Sequence, residues 1–196
     1  MMKIMQDKAI ETFYPENRLQ WRKWLQKHHH TKQSIWLIQY KKKADKPTIS
    51  WSEAVEEALC FGWIDSTAKS IDDEKFMQFF TRRKANSVWS KINKGKVQRL
   101  IDEGLMAPAG YESIEVAKQN GSWSILDDVE ELKIPKDLEK AFRSQRGSKA
   151  YFMSLSKSVR KSMLQWVTLA KRPETRQKRI TEIATLAGQQ QKPKQF

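Results

Sequence analysis

Three serine–lysine pairs stand at the spacing that lets an amine take a proton from a serine nucleophile: Ser66/Lys69, Ser154/Lys157 and Ser158/Lys161. The companion S-D-N and K-T-G elements are absent, so the spacing is that of a chain rich in both residues and not of a hydrolase. Cys60 is the single cysteine and lies between Leu59 and Phe61, which predicts a buried apolar thiol and not a nucleophile. His28, His29 and His30 are adjacent, and adjacent positions on a helix point about 100° apart, so the three cannot converge on one ion. Lys94-Gly95-Lys96 lacks the upstream glycine of a phosphate loop, and no G-x-G-x-x-G occurs. No catalytic residue, metal site or cofactor is assigned on these patterns.

What remains is anion chemistry. Arg82, Arg83 and Lys84 are followed by Ser87, Ser90, Lys91, Asn93 and Lys94. The pattern predicts a helix from Ser87 to Gly104, with Ser87 as its N-cap and Lys91 four residues on, sharing its face. Cations beside the free N–H groups of a helix start form the outline of an anion site. Trp89 could stack on a ring there, or fill the core at helical spacing. Asp65-Ser66 follow Gly62-Trp63-Ile64 at a helix-to-strand turn, where a loop beside a small sheet can hold a ligand or Asp65 can simply cap the turn. The candidate ligand- or anion-binding set is therefore Asp65, Ser66, Arg83, Ser87, Trp89, Lys91, Asn93 and Lys94.

The elements that would position these residues follow from periodicity and punctuation. Pro15 suits the first turn of a helix whose apolar stripe is Leu19, Trp24, Leu25 and His28. Residues 34–41 alternate as a strand. Ser50 and Glu53 form a capping box for a helix that Gly62 ends. The runs 66–71 and 75–81, separated by Asp72-Asp73-Glu74, predict a hairpin that joins the strand at 34–41 in a three-stranded antiparallel sheet. Helices over 111–119 and from Pro135 to Phe142 follow. Phe152, Leu155, Val159, Met163, Trp166 and Ala170 then read as one continuous helix, and Pro173 starts its partner in an αα-hairpin. The fold class expected is α+β, mostly helical. Residues 1–147 form the α+β core, 148–188 the helical hairpin packed on it, and 189–196 a disordered tail. Trp63, Phe79, Trp89, Leu100 and Trp166 are expected in the core.

Charge narrows the partners. The 196 residues carry a net charge of +14, distributed as +7 over 1–50, −2 over 51–147 and +9 over 148–196. Basic ends of this kind attract polyanions or small anionic ligands. The basic residues of the C-terminal hairpin include Arg176, which with Gln177 is loosely suited to a recognition helix. No apolar h-region and no 18-residue apolar window occur, so the expectation is a cytoplasmic protein with no membrane span.

The run from Trp51 to Lys94 also carries a family pattern. Its elements are Ser52-Glu53-Ala54-Val55, the block from Glu57 through Gly62-Trp63-Ile64-Asp65, Phe80-Thr81, and Ser87 to Asn93. Gly104 to Gly110, Ile114 to Lys118, Gly121-Ser122-Trp123, Ala170-Lys171, Glu174-Thr175-Arg176 and Arg179-Ile180 fit as well. In these the chain resembles the YdeI/OmpD-associated family, also called bacteriocin-protection proteins. Arg82 departs from that pattern, which has proline after the Phe-Thr pair, and the departure predicts a looser turn. The resemblance implies protection against bacteriocins or antimicrobial stress and association with an envelope porin, and it transfers no reaction. The function expected is a non-enzymatic stress-protection or interaction module. An enzyme acting on a small anionic substrate near Asp65, Arg83 and Lys91 is the alternative, and nonspecific nucleic-acid binding through the basic ends the second.

Overall fold

The computed structural model describes residues 11–196, which divide into two compact units. Of these, the first comprises residues 11–87 together with Ile92–Asn120, and the second Val88–Lys91 with Gly121–Phe196. The boundary expected at Arg146-Gly147-Ser148 lies inside the second unit, between two of its helices.

In the first unit the elements run β1 (Thr12–Phe13), α1 (Arg18–His28), β2 (Ser34–Tyr40), a 3-10 turn (Lys42–Ala44), α2 (Trp51–Cys60), β3 (Trp63–Ser70) and β4 (Lys75–Arg82). Then come α3 (Lys91–Asp102), whose first residue belongs to the second unit, and α4 (Pro108–Gln119). The sheet order is β1-β2-β4-β3, antiparallel except for β1, which pairs parallel with β2. This corrects the fold expectation in two ways. The sheet is four-stranded and mixed, not three-stranded and antiparallel, and helix makes up 51% of the structure, so the protein is α+β and not mostly helical. A two-residue strand has no alternation to read, and its partner is supplied by chain folding.

Local signals place most elements. The side chain of Ser50 accepts from the Glu53 N–H while the Glu53 carboxylate accepts from the Ser50 N–H, closing the capping box of α2. Asn17 caps α1 by accepting from the Gln20 N–H, two residues after the Pro15 expected to open it. The buried residues of α1 are Trp21 and Leu25, whereas Leu19 is 59% exposed, so the apolar stripe is turned from the predicted one. Trp21 meets Trp24 at 5.2 Å and Phe80 at 5.4 Å, and Trp24 meets Trp63 at 5.8 Å, an aromatic core beside Ile35, Leu37 and the buried run Ala54–Cys60.

Two buried carboxylates consume much of the basic charge nearby. Glu57 pairs with Arg18 at 2.5 Å and Arg22 at 2.7 Å, and Glu56 with Lys96 at 3.0 Å and Arg99 at 2.7 Å. These ion pairs tie α1 and α3 to α2, so the cations involved act as cross-braces and not as a free polyanion surface.

The second unit contains α5 (Asp127–Glu130), α6 (Lys136–Arg143), α7 (Ser148–Ser154), α8 (Lys157–Thr168) and α9 (Pro173–Gly188). Its core gathers Leu126, Leu138, Phe142, Phe152, Met163, Val167, Ile180 and Ile183. The single helix predicted from Phe152 to Ala170 is broken: Leu155 is extended, and Ser156 accepts from the Val159 N–H to start α8 afresh. The apolar stripe continues across the break because both pieces bury into the same core. Pro173 opens α9 at its first turn, as the hairpin reading expected. The final residues end with the Phe196 ring 5.6 Å from that of Trp166. Trp63, Trp89 and Leu100 are buried as expected, whereas Phe79 and Trp166 are half-buried. Among the described residues no helix is long and apolar enough to cross a membrane.

Candidate functional site

A cleft of about 320 Å³ opens in the first unit, at the small end of the ~300–1,000 Å³ typical of ligand pockets. Four stretches line it: His29-His30 after α1, Phe61-Gly62 between α2 and β3, residues 82–85 at the end of β4, and Ala109, Glu112, Ser113 and Val116 of α4.

Two glycines bring these stretches together. Gly62 adopts φ +69°, and a Cβ there would meet the Ala109 carbonyl oxygen at 2.8 Å. Gly110 is tighter still, since its Cβ would lie 2.4 Å from both the Cys60 carbonyl oxygen and the Met106 sulfur. The Ala107 N–H donates to the same Cys60 carbonyl at 3.1 Å. The end of α2 and the start of α4 therefore touch backbone to backbone, and Gly62 and Ala109 of this contact line the cleft.

The cleft is cationic. Arg82, Arg83 and Lys84 line it with the two histidines, and Glu112 is the one carboxylate among the lining residues. The guanidinium of Arg82 is spent on structure: it donates to the His29 and His30 carbonyl oxygens at 2.8 and 2.7 Å. Its backbone N–H donates to the Gln33 carbonyl at 3.0 Å, a bond proline could not make. The looser turn expected from this departure is thus not found; the arginine ties β4 to the segment after α1. Burial lowers the Arg83 pKa to about 10, partly opposed by the carboxylate of Asp65. Arg83 still carries its charge at neutral pH, in a setting of low polarity where an anion would be strongly attracted. Its N–H donates to the Gly62 carbonyl at 2.9 Å, so the same glycine turn positions it. Lys84 is exposed at the rim, and the His29 ring packs 3.7 Å from that of His30 while its Nδ1 meets the Leu25 carbonyl at 2.8 Å.

Of the eight residues predicted from sequence, Arg83 alone lines this cleft. Asp65 lies on β3, where its carboxylate accepts from Trp51 Nε1 at 2.9 Å and Gln78 Nε2 at 3.1 Å. Ser66 is exposed, and its carbonyl accepts from the same Gln78 amide at 3.2 Å. Ser87 is half-buried in a turn, its N–H donating to the Lys84 carbonyl at 2.9 Å. The helix begins at Lys91 and not at Ser87, so Ser87 is not its cap and the shared face predicted for Ser87 and Lys91 does not form. Trp89 is 1% exposed and packs against Trp123 at 5.0 Å within the second unit. Lys91 is exposed at the start of α3, and Asn93 and Lys94 are half-buried in its first turns. His29, His30, Glu112 and Ser113 were not expected, and Lys84 entered only as part of the cationic run. The Arg82-Arg83-Lys84 run was the available signal, but nothing local links it to α4. Among the described residues no group of His, Cys, Asp and Glu could hold a metal ion.

Residues 13–113, more than half of the 196-residue chain, match the family described as Domain of unknown function (DUF8412). Residues 131–190 match the family described as Bacteriocin-protection, YdeI or OmpD-Associated, which bears out the resemblance. No curated protein and no solved structure matches the chain.

Proposed function

We propose that this chain, which belongs to the family of the Domain of unknown function (DUF8412), binds a small anion in the cleft of its first unit. The observation that carries the reading is Arg83, a half-buried cation on the wall of a 320 Å³ cleft that Lys84, His29 and His30 also line. The size suits a phosphate, sulfate or small carboxylate, and charge-assisted hydrogen bonds would hold it. Ser113 Oγ donates to the Gly110 carbonyl at 2.9 Å and retains lone pairs toward a protonated ligand oxygen.

The second unit's match supports a role in bacteriocin protection or a related stress response, with the cleft serving recognition and not turnover. That reading agrees with the state of the would-be nucleophiles. Burial pushes the Cys60 thiol up, and Lys161 of the Ser158/Lys161 pair is bound to Glu130 at 2.6 Å. A single buried free thiol also fits a reducing, cytoplasmic setting.

Isothermal titration with inorganic phosphate, sulfate and small carboxylates tests the site. At least one should bind to the wild-type chain, and Arg83→Gln and Lys84→Gln should each weaken it while Lys178→Gln leaves it unchanged. Equal affinity in Arg83→Gln and wild type would remove the cleft from consideration.

A further inference from the structure

The β2–β4 pair has a second recess at its opposite end, where Tyr40 faces Lys75. It is a broad groove of about 810 Å³ in the first unit. Gln39 and Phe76, direct partners in the β2–β4 register, line it together with Trp51 at the first turn of α2. Lys42 and Lys46, from the segment that joins β2 to α2, line the groove as well.

Three properties converge on one class of ligand. Trp51 is 54% exposed, yet its ring is held: Nε1 donates to Asp65 at 2.9 Å, and Asp65 is itself fixed by Gln78 at 3.1 Å. An exposed indole in a set orientation presents a flat π surface that loses little freedom on binding. Gln39 is 1% exposed, and its Nε2 donates to the Ile49 carbonyl at 3.0 Å, but among the described residues its buried Oε1 has no hydrogen-bond donor. Buried acceptors without a donor are rare in folded proteins and fit a ligand N–H. Lys42 and Lys46 are exposed, and neither forms an ion pair with a carboxylate among the described residues. A flat aromatic face, an acceptor for N–H and a pair of available cations are complementary to a heterocyclic base, its N–H edge and a phosphate.

We propose that this groove is a nucleotide-binding subsite, with the base stacked on Trp51 and the phosphate drawn by Lys42 and Lys46. The nucleotide is either free or one residue of a single strand. The proposal is independent of the anion cleft, which shares none of these residues.

The test is titration of the full chain with the four nucleoside monophosphates, a short single-stranded oligonucleotide and ribose 5-phosphate, followed calorimetrically. The base-bearing ligands should bind at least about tenfold more tightly than ribose 5-phosphate, and Trp51→Leu should remove that advantage. Because Trp51 is exposed, this variant is expected to fold, which its far-UV circular dichroism verifies. The double variant Lys42→Gln/Lys46→Gln should weaken binding and flatten its salt dependence. Lys178→Gln, exposed on α9 and part of neither recess, should change nothing. Binding of monophosphates assigns the groove to free nucleotides; binding of the oligonucleotide alone assigns it to a strand. The proposal is overturned if neither form binds at millimolar concentration, if ribose 5-phosphate binds as well as the nucleotides, or if Trp51→Leu binds like wild type.

Discussion

Arg82 reaches across from the end of β4 to the carbonyl oxygens of His29, at 2.8 Å, and His30, at 2.7 Å. The carbonyl of a helix's C-cap residue has no partner within the helix, and here the guanidinium joins Trp63 Nε1 in donating to that of His29. The bond also holds the two histidines at the lip of the cationic cleft. Arg82→Leu should lower unfolding free energy by about 2 kcal/mol, the scale of hydrogen bonds from a charged donor. Arg82→Lys should restore only part, because an ammonium lacks the planar fork. Urea unfolding of the two variants checks this; wild-type stability in Arg82→Leu would mean that the contact contributes nothing.

The glycines of the α2–α4 contact should separate from the others by cost. Gly62→Ala combines a left-handed backbone with a 2.8 Å approach to the Ala109 carbonyl, and Gly110→Ala places its methyl 2.4 Å from backbone and sulfur. Gly121, at φ +79°, has nothing within 4 Å. Gly121→Ala should therefore cost only the backbone strain of about 1 kcal/mol. Gly62→Ala should cost more than that, and Gly110→Ala about 1–3 kcal/mol from overpacking. Equal melting temperatures for the three variants would refute the close approach.

Stability should fall in acid through Glu56. Burial acts to raise its pKa, but hydrogen bonds from Arg99 and Lys96 outweigh it and hold the carboxyl below its ordinary 4.5. A carboxylate lowered in the folded state contributes stability above the unfolded pKa and loses it as pH drops through the folded one. Between pH 7 and acid, wild type should therefore lose more stability than Glu56→Gln. The variant itself should be about 1–2 kcal/mol weaker at neutral pH, discounted for the partly exposed cations. Parallel pH profiles for the two proteins would exclude this network as a source of acid sensitivity.

Cys60 should be chemically silent in the native protein. It is fully buried, and burial and the nearby Glu57 push its thiol up, outweighing the lowering influence of Arg22. A disulfide reagent at pH 7 should label it only as fast as the protein unfolds, and rapidly in denaturant. Prompt stoichiometric labelling of folded protein would reopen a nucleophilic role.

What the linear chain determined was local. The capping box at Ser50 and Glu53, the alternation of residues 34–40, the hairpin punctuated by Asp72 and the start at Pro173 each depend on neighbours within a few residues, and each was legible. The Asp72 turn shows why: its carboxylate accepts from the Glu74 and Lys75 N–H groups, two bonds contained within the four residues 72–75. Tertiary packing decided the rest. Thr12-Phe13 becomes a strand only because β2 lies parallel beside it. The apolar stripe through Phe152 and Trp166 runs unbroken over a chain that bends at Leu155, since hydrophobic spacing records which side is buried and not whether the backbone is continuous. The cleft joins His29, Gly62, Arg83 and Ser113, residues far apart in sequence and brought together by two glycines that permit backbone contact. No periodicity encodes that meeting, because it depends on the free energy of the assembled core and not on any one segment's preference.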